Sequence, residues 1–139
     1  MLKPKRSGLI PVYMEYGRVF ACCMIPSNPD FGGDMPQMAK GHIEDDLSPK
    51  DNAIKEAVEE LGLKESNIHD VRYLGDYTRI AAFTCLVYDP DDFDEPHWES
   101  ECSMWVDITD SLNDVRDVQR DIFRDCLELW QREMYADSE

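Results

Sequence analysis

The sequence predicts a mixed α/β sandwich in one domain spanning residues 1–139. Three observations carry the prediction. The length, 139 residues with 42% hydrophobic side chains, supplies one core of ordinary domain size. Strand-sized apolar runs alternate with breaker-rich turns. Two segments repeat apolar residues at helical spacing among those strands.

Leu9–Met14 and Arg18–Ile25 are rich in apolar, β-branched and aromatic residues. Tyr16-Gly17 between them supplies a turn, so the pair reads as a hairpin. Pro26–Pro36 is dense in Pro, Gly, Ser and Asn and reads as a loop. Gln37–Lys40 is a short extended piece leading into Gly41-His42-Ile43-Glu44. Ser48 is a helix N-cap, Pro49 suits the first helical position, and Asp51 stands where a capping box wants an acid. Ile54, Ala57, Val58 and Leu61 then form the apolar repeat, and Gly62 closes a helix over Pro49–Leu61. Asp70–Tyr77 and Arg79–Tyr88 read as strands, Asp89–Glu95 as an acidic loop, and Cys102–Ile108 as a strand holding Trp105. Val115–Tyr135 places Val118, Ile122, Cys126, Leu129 and Trp130 on one apolar helical face.

Composition excludes several classes of function. With 14 Lys plus Arg against 30 Asp plus Glu, the formal charge is −16. Such a surface repels long nucleic acid and anionic membranes. A phosphate-bearing ligand then needs a cation as mediator, and acidic side chains are candidates to hold it. No run approaches the ~20 apolar residues of a membrane span. The basic start, Lys3-Pro4-Lys5-Arg6, is followed by no apolar core of a secretory signal. The cysteines, Cys22, Cys23, Cys85, Cys102 and Cys126, contain no Cys-x-x-Cys pair. They are expected to be reduced thiols in a cytoplasmic protein.

The helix at Pro49–Leu61 carries the chemistry. At ~100° per residue, with Glu56 as zero, Glu59 falls near ~−60° and Glu60 near ~40°. Three carboxylates therefore share a face, and the apolar residues are expected opposite. Like charges at this spacing repel, and a divalent cation reverses the sign of that interaction. A solvated helix face is the plainer explanation of the same three residues; the surrounding pattern decides against it.

Gly41-His-Ile-Glu-Asp-Asp-Leu47-Ser-Pro-Lys-Asp-Asn-Ala-Ile-Lys55-Glu56-Ala57-Val58-Glu59-Glu60-Leu61-Gly62-Leu63 resembles the Nudix box, G-x5-E-x7-R-E-U-x-E-E-x-G-U, where U is aliphatic. Gln37–Glu44 is similar to the approach strand of that superfamily, and Phe31–Gln37 resembles the lead-in of bacteriophage-encoded members. Two positions depart. Leu47 stands at the first Glu of the box and Lys55 at its Arg. Those two residues brace the loop against the helix in the family, and Leu with Lys cannot; Asp45 or Asp46 is the expected alternative partner for Lys55.

The resemblance implies a single-domain Nudix-like α/β/α sandwich with a mixed β-sheet. It implies hydrolysis of the pyrophosphate bond of a small nucleoside diphosphate derivative, of the ADP-ribose, FAD, NADH or dinucleoside polyphosphate type. Mg²⁺ or Mn²⁺ would be the cofactor. The metal positions carry over as Gly41, Glu56, Glu59 and Glu60, with Glu101 or Glu99 as a further ligand from a later loop. Glu56 and Glu59 are the catalytic candidates, Glu56 as ligand or as the base that takes a proton from water. Lys40, Arg18, Arg79 and Phe31 are candidates to meet the substrate. The expected partners are a small nucleotide, no membrane, and no second chain or one further copy; the expected place is a cytoplasm, that of the host for a phage-borne gene. Two other readings stay open. Leu47 and Lys55 fit a nucleotide-binding module with weak or no turnover. The −16 charge fits an acidic interaction protein or nucleic-acid mimic.

Overall fold

Strand β1 (Arg6–Glu15) is the axis on which the rest of the molecule is hung. The computed structural model describes residues 3–28, 30, 33–95 and 100–137. Strands β2 (Arg18–Pro26), β3 (Ala39–His42), β4 (His69–Tyr77), β5 (Ile80–Leu86) and β6 (Ser100–Asp107) join β1 in a six-stranded sheet of order β4-β5-β1-β2-β6, with β3 also paired to β1. The β1–β5 pair is parallel and the other pairs are antiparallel, so the sheet is mixed as expected. Tyr16 and Gly17 turn the β1–β2 hairpin with φ of 53° and 76°, both left-handed, which matches the twist of the strands.

Beyond its pairing with β5, β1 has two further partners. Residues 12–15 pair with β2 and residues 6–9 pair with β3. The period-two alternation of the strands then feeds two separate cores. On one face Ile10, Val12, Val19, Ala21 and Cys23 pack with Phe123, Cys126 and Trp130 of helix α2 (Arg120–Asp137). On the other, Leu9, Cys22, Met24, Phe83 and Cys85 pack with Ala53, Ala57 and Leu61 of helix α1 (Pro49–Leu61). The result is the expected sandwich, helix on either side of one sheet.

Helix α1 has the bounds its caps dictate. Ser48 Oγ accepts from the Asp51 N–H at 3.1 Å, Pro49 opens the helix, and Gly62 ends it in the left-handed region at φ 75°. Its buried stripe is shifted from the expected one. Ala53, Ala57 and Leu61 are fully buried, whereas Ile54 and Val58 are half-buried flanks. Small alanines let the helix lie close to β1, and that closeness decides the rotation. On the same wheel Ala53 lies near ~60°, beside Glu60 at ~40°. The glutamates therefore border the buried stripe instead of facing away from it, and all three are half-buried.

Helix α2 begins later than Val115. Val115 is fully buried, but outside the helix, and Val118 is 71% exposed, so it is not on the apolar face. Two short 3₁₀ turns, Leu112–Asp114 and Asp117–Gln119, precede the helix. Tertiary bonds hold this connection away from α-geometry: the Arg116 N–H donates to Pro36 O at 2.9 Å, and Gln119 Oε1 accepts from the Met38 N–H at 2.8 Å. Cys22, Cys23, Cys85 and Cys126 are buried free thiols. Burial pushes Cys22 and Cys126 up to about 12, which makes them unreactive packing groups. No helix among the described residues is long and apolar enough to cross a membrane.

Candidate metal and phosphate site

The site is built where the N-terminal half of β1, the short β3 and the C-terminal half of α1 meet. Gly41 lies in β3, and Glu56 fills the space a side chain would take: a Cβ on Gly41 would fall 2.3–2.6 Å from the atoms of the Glu56 carboxylate, which would have to move aside. A carboxylate thus lies directly against the Gly41 peptide. Glu60, one turn further along α1, has its Oε2 shut away from solvent.

Lys40 is the group that senses both acids. Burial and the guanidiniums of Arg6 and Arg116 push its pKa down, outweighing Glu60 and Glu56, which pull it up. Register explains the cluster. Arg6 pairs with His42 and Gly8 with Lys40 across β1 and β3, so Arg6 and Lys40 are diagonal neighbours on one face. Arg116 arrives from the connection before α2, with its guanidinium donating to Gln37 Oε1 at 3.3 Å. Three cations thus act on one another and on two glutamates here, on a chain whose formal charge is −16. A half-buried ammonium crowded by guanidiniums is favoured by any anion that joins it, and a phosphate is such an anion.

Glu59 has different company. Lys55 Nζ lies 3.0 Å from Glu59 Oε1 and 3.2 Å from Glu44 Oε1. Those carboxylates, Glu59 first and then Glu44, raise the Lys55 pKa. The partner in the loop is therefore Glu44, not Asp45 or Asp46. Asp45 and Asp46 lie in the exposed turn that follows, beyond the point where the loop touches α1. Leu47 is half-buried and lines an open depression of about 520 Å³ together with Lys3, Lys5, His42 and Pro49.

The donors present suit a hard divalent cation, because they are carboxylate and carbonyl oxygens. Glu56 and Glu60 with the Gly41 carbonyl could hold one, and the tight seat of Glu56 against Gly41 is the structural feature that fits it. Among the described residues no three Asp, Glu, His or Cys side chains already converge as a metal centre. Glu59 has one carboxylate oxygen, Oε1, engaged by Lys55.

The remaining candidates are placed as follows. Arg18 is bound to Asp107 at 2.7 Å and also to Asp110. It pairs with Glu15, at the end of β1 away from β3, roughly 20 Å or more of strand from the site. The structure does not bring it to the glutamates. Arg79 is exposed in the β4–β5 turn, and its carbonyl accepts from the Lys5 and Arg6 N–H groups at 2.9 and 3.1 Å. It shares an end of the sheet with the site but lies across β1 from β3. Phe31 and Glu99 lie outside the described residues, as does the side chain of Glu101. Arg6, Arg116, Glu44 and Asn52 were not singled out by the sequence. Each reaches the site through strand register or a long-range bond, and no local pattern marks them.

Comparison with known proteins identifies the family and the fold. The family model described as the NUDIX domain matches residues 3–126. Among solved structures, an Ap4A hydrolase binary complex from C. elegans superposes with a TM-score of 0.71 at 17% identity, covering 91% of this chain and 97% of that one. The NUDIX domain of Shewanella oneidensis NrtR, complexed with ADP ribose, gives 0.69 at 12% identity, covering 94% and 90%. An ADP-ribose pyrophosphatase from Streptococcus suis gives 0.56 at 19% identity, covering 90% and 91%. At these identities the likeness is one of fold. No curated protein matches the chain.

Proposed function

We propose, because this chain belongs to the NUDIX domain family, that it is a hydrolase cleaving the pyrophosphate bond of a small nucleoside diphosphate derivative with the help of Mg²⁺ or Mn²⁺. The observation that carries the reading is the seat of Glu56 against Gly41, next to Glu60 and beside Lys40. A divalent cation, when bound, supplies charge neutralisation for the diphosphate and acidifies water for attack on phosphorus.

The chain's own residues divide the remaining work. Glu56 and Glu60, with the Gly41 carbonyl, are the groups to hold the cation, and Glu59 joins them. Glu56, as ligand or base, and Glu59 are the catalytic carboxylates. Lys40, Arg6 and Arg116 orient the phosphates and offset the repulsion of the acidic surface. The fold neighbours named for Ap4A and ADP ribose support an adenosine-containing substrate. The buried thiols suit a reducing cytoplasm, and the 31–37 lead-in keeps a phage-borne origin as part of the reading.

The test is hydrolysis of a nucleotide library with Mg²⁺ and with Mn²⁺, products identified by mass. Release of a mononucleotide from ADP-ribose, FAD, NADH or a dinucleoside polyphosphate is expected. No release from any of them would overturn the reading. One observation favours a second reading, a binding module with little turnover: Lys55 occupies Glu59. Calorimetric binding of a nucleotide without phosphate release across the metal series would favour that module.

A further inference from the structure

We propose that Asn52 is a positioning residue that fastens the end of β3 and the loop after it, residues 41–44, to α1, taking over the bracing Leu47 cannot supply, and so fixes the Gly41 carbonyl for a bound cation. The inference rests on the metal-dependent reading above. Asn52 is fully buried, in the first turns of α1 beside Ala53. Asparagine is a poor helix former, and a buried amide is costly unless its groups are bonded. Here they are bonded to three different segments. Nδ2 donates to Ser7 Oγ in β1 at 3.0 Å and, more weakly at 3.4 Å, to Gly41 O in β3. Oδ1 accepts from the Glu44 N–H in the loop at 3.2 Å. That last bond fixes which end of the amide is oxygen, because a backbone N–H requires an acceptor.

One side chain therefore ties helix, strand and loop together at the residue whose carbonyl faces cation duty. The Glu44–Lys55–Glu59 chain is a second strap over the same loop. Its members are a third to a half exposed, so solvent and salt weaken it. By holding Glu44 in place, Asn52 also keeps part of the Lys55 ammonium away from Glu59. The buried amide is the stronger fastening, and the exposed strap depends on it.

The test uses the full chain, metal-free, with Mn²⁺ affinity by calorimetry and backbone amide exchange across residues 42–47. Asn52→Ala is expected to weaken Mn²⁺ binding ~10-fold or more, in the range of lost outer-shell contacts, and to speed Glu44 amide exchange by a similar factor. Adding Leu47→Glu and Lys55→Arg, which restores the ion pair of the box, is expected to return affinity to within ~threefold of wild type. A merely structural role would not be rescued by an ion pair at another position. Mn²⁺ affinity within twofold of wild type in Asn52→Ala, or a triple variant no tighter than the single, would overturn the proposal. If Asn52→Ala alone does not fold, the triple variant decides. A folded triple with near wild-type affinity supports the proposal, and an unfolded one overturns it. If wild type itself binds no Mn²⁺, the functional reading fails, and Glu44 amide exchange alone judges the fastening: faster exchange supports it and unchanged exchange overturns it.

Discussion

Alanine at Gly41 and alanine at Gly62 should damage this protein in opposite ways. At Gly41 the nearest atoms the new Cβ meets are those of the Glu56 carboxylate, the far end of a flexible side chain. The strand and helix can stay while the carboxylate swings aside. Stability should change by no more than about 1 kcal/mol, but kcat should fall by ~10²–10³, the usual effect of misplacing a reacting group by an ångström or so. At Gly62 the φ of 75° is left-handed. That conformation costs an L-residue about 1–2 kcal/mol. The Cβ would also run into the Asp94 carbonyl, and the loop there is anchored by the Asp94 N–H donating to Gly62 O at 2.6 Å. The sum is about 2–4 kcal/mol, which lowers Tm by roughly 10 °C in a domain of this size. Turnover of the folded fraction should fall less than in Gly41→Ala, because the new Cβ meets the Asp94 carbonyl and not the Glu56 carboxylate, although Glu60 stands two residues before Gly62. Thermal melts of the metal-free proteins and kcat with Mn²⁺ at 25 °C check both halves. Gly41→Ala with kcat within threefold of wild type would refute the claim that Glu56 acts from this seat.

Glu60→Gln keeps the shape and removes the charge; kcat should fall by more than ~10³ with the melt little changed, and turnover within tenfold would count against Glu60 as a ligand. Lys40→Met removes a cation that the fold disfavours. Its pKa is lowered in the folded state, so the unfolded chain holds that proton more tightly and folding gains stability as pH rises from the lowered value toward 10.5. Lys40→Met should therefore raise Tm slightly near neutral pH while raising KM for the nucleotide, read by melts and steady-state kinetics. Trp130→Phe deletes the Nε1–H bond to Thr84 Oγ1, 2.9 Å long and buried. Chemical denaturation should show about 1–3 kcal/mol lost, with kcat unchanged.

Local signals are legible in the sequence, and tertiary ones are not. Ser48, Pro49 and Gly62 define the ends of α1 because caps act within a turn of their own residue. The rotation of α1 differs from the one its periodicity predicts, because Ile54 and Val58 outweigh Ala53 on any hydrophobicity count, whereas close packing selects the alanines. The helix α2 starts later than periodicity predicts, although Val115 and Val118 stand at helical spacing. What unwinds that stretch is a bond from the Arg116 N–H to Pro36 O, and no local pattern encodes it. Within the site, Gly41, Glu56 and Glu60 were legible through the box, and Lys40 through its place beside it. Arg6 becomes its neighbour only through the β1–β3 register, and Arg116 only through the crossover. Glu44 replaces Asp45 and Asp46 as the partner of Lys55 because the loop leaves the helix just after it.

The seat on α1 competes with a surface that is acidic almost everywhere, so location is the deciding observable. Substoichiometric Mn²⁺ added to labelled, metal-free protein should broaden the amide signals of Gly41, Glu56 and Glu60 first. Broadening that starts in the acidic loop at residues 89–94, or spreads evenly over the surface, would contradict a cation site on this helix.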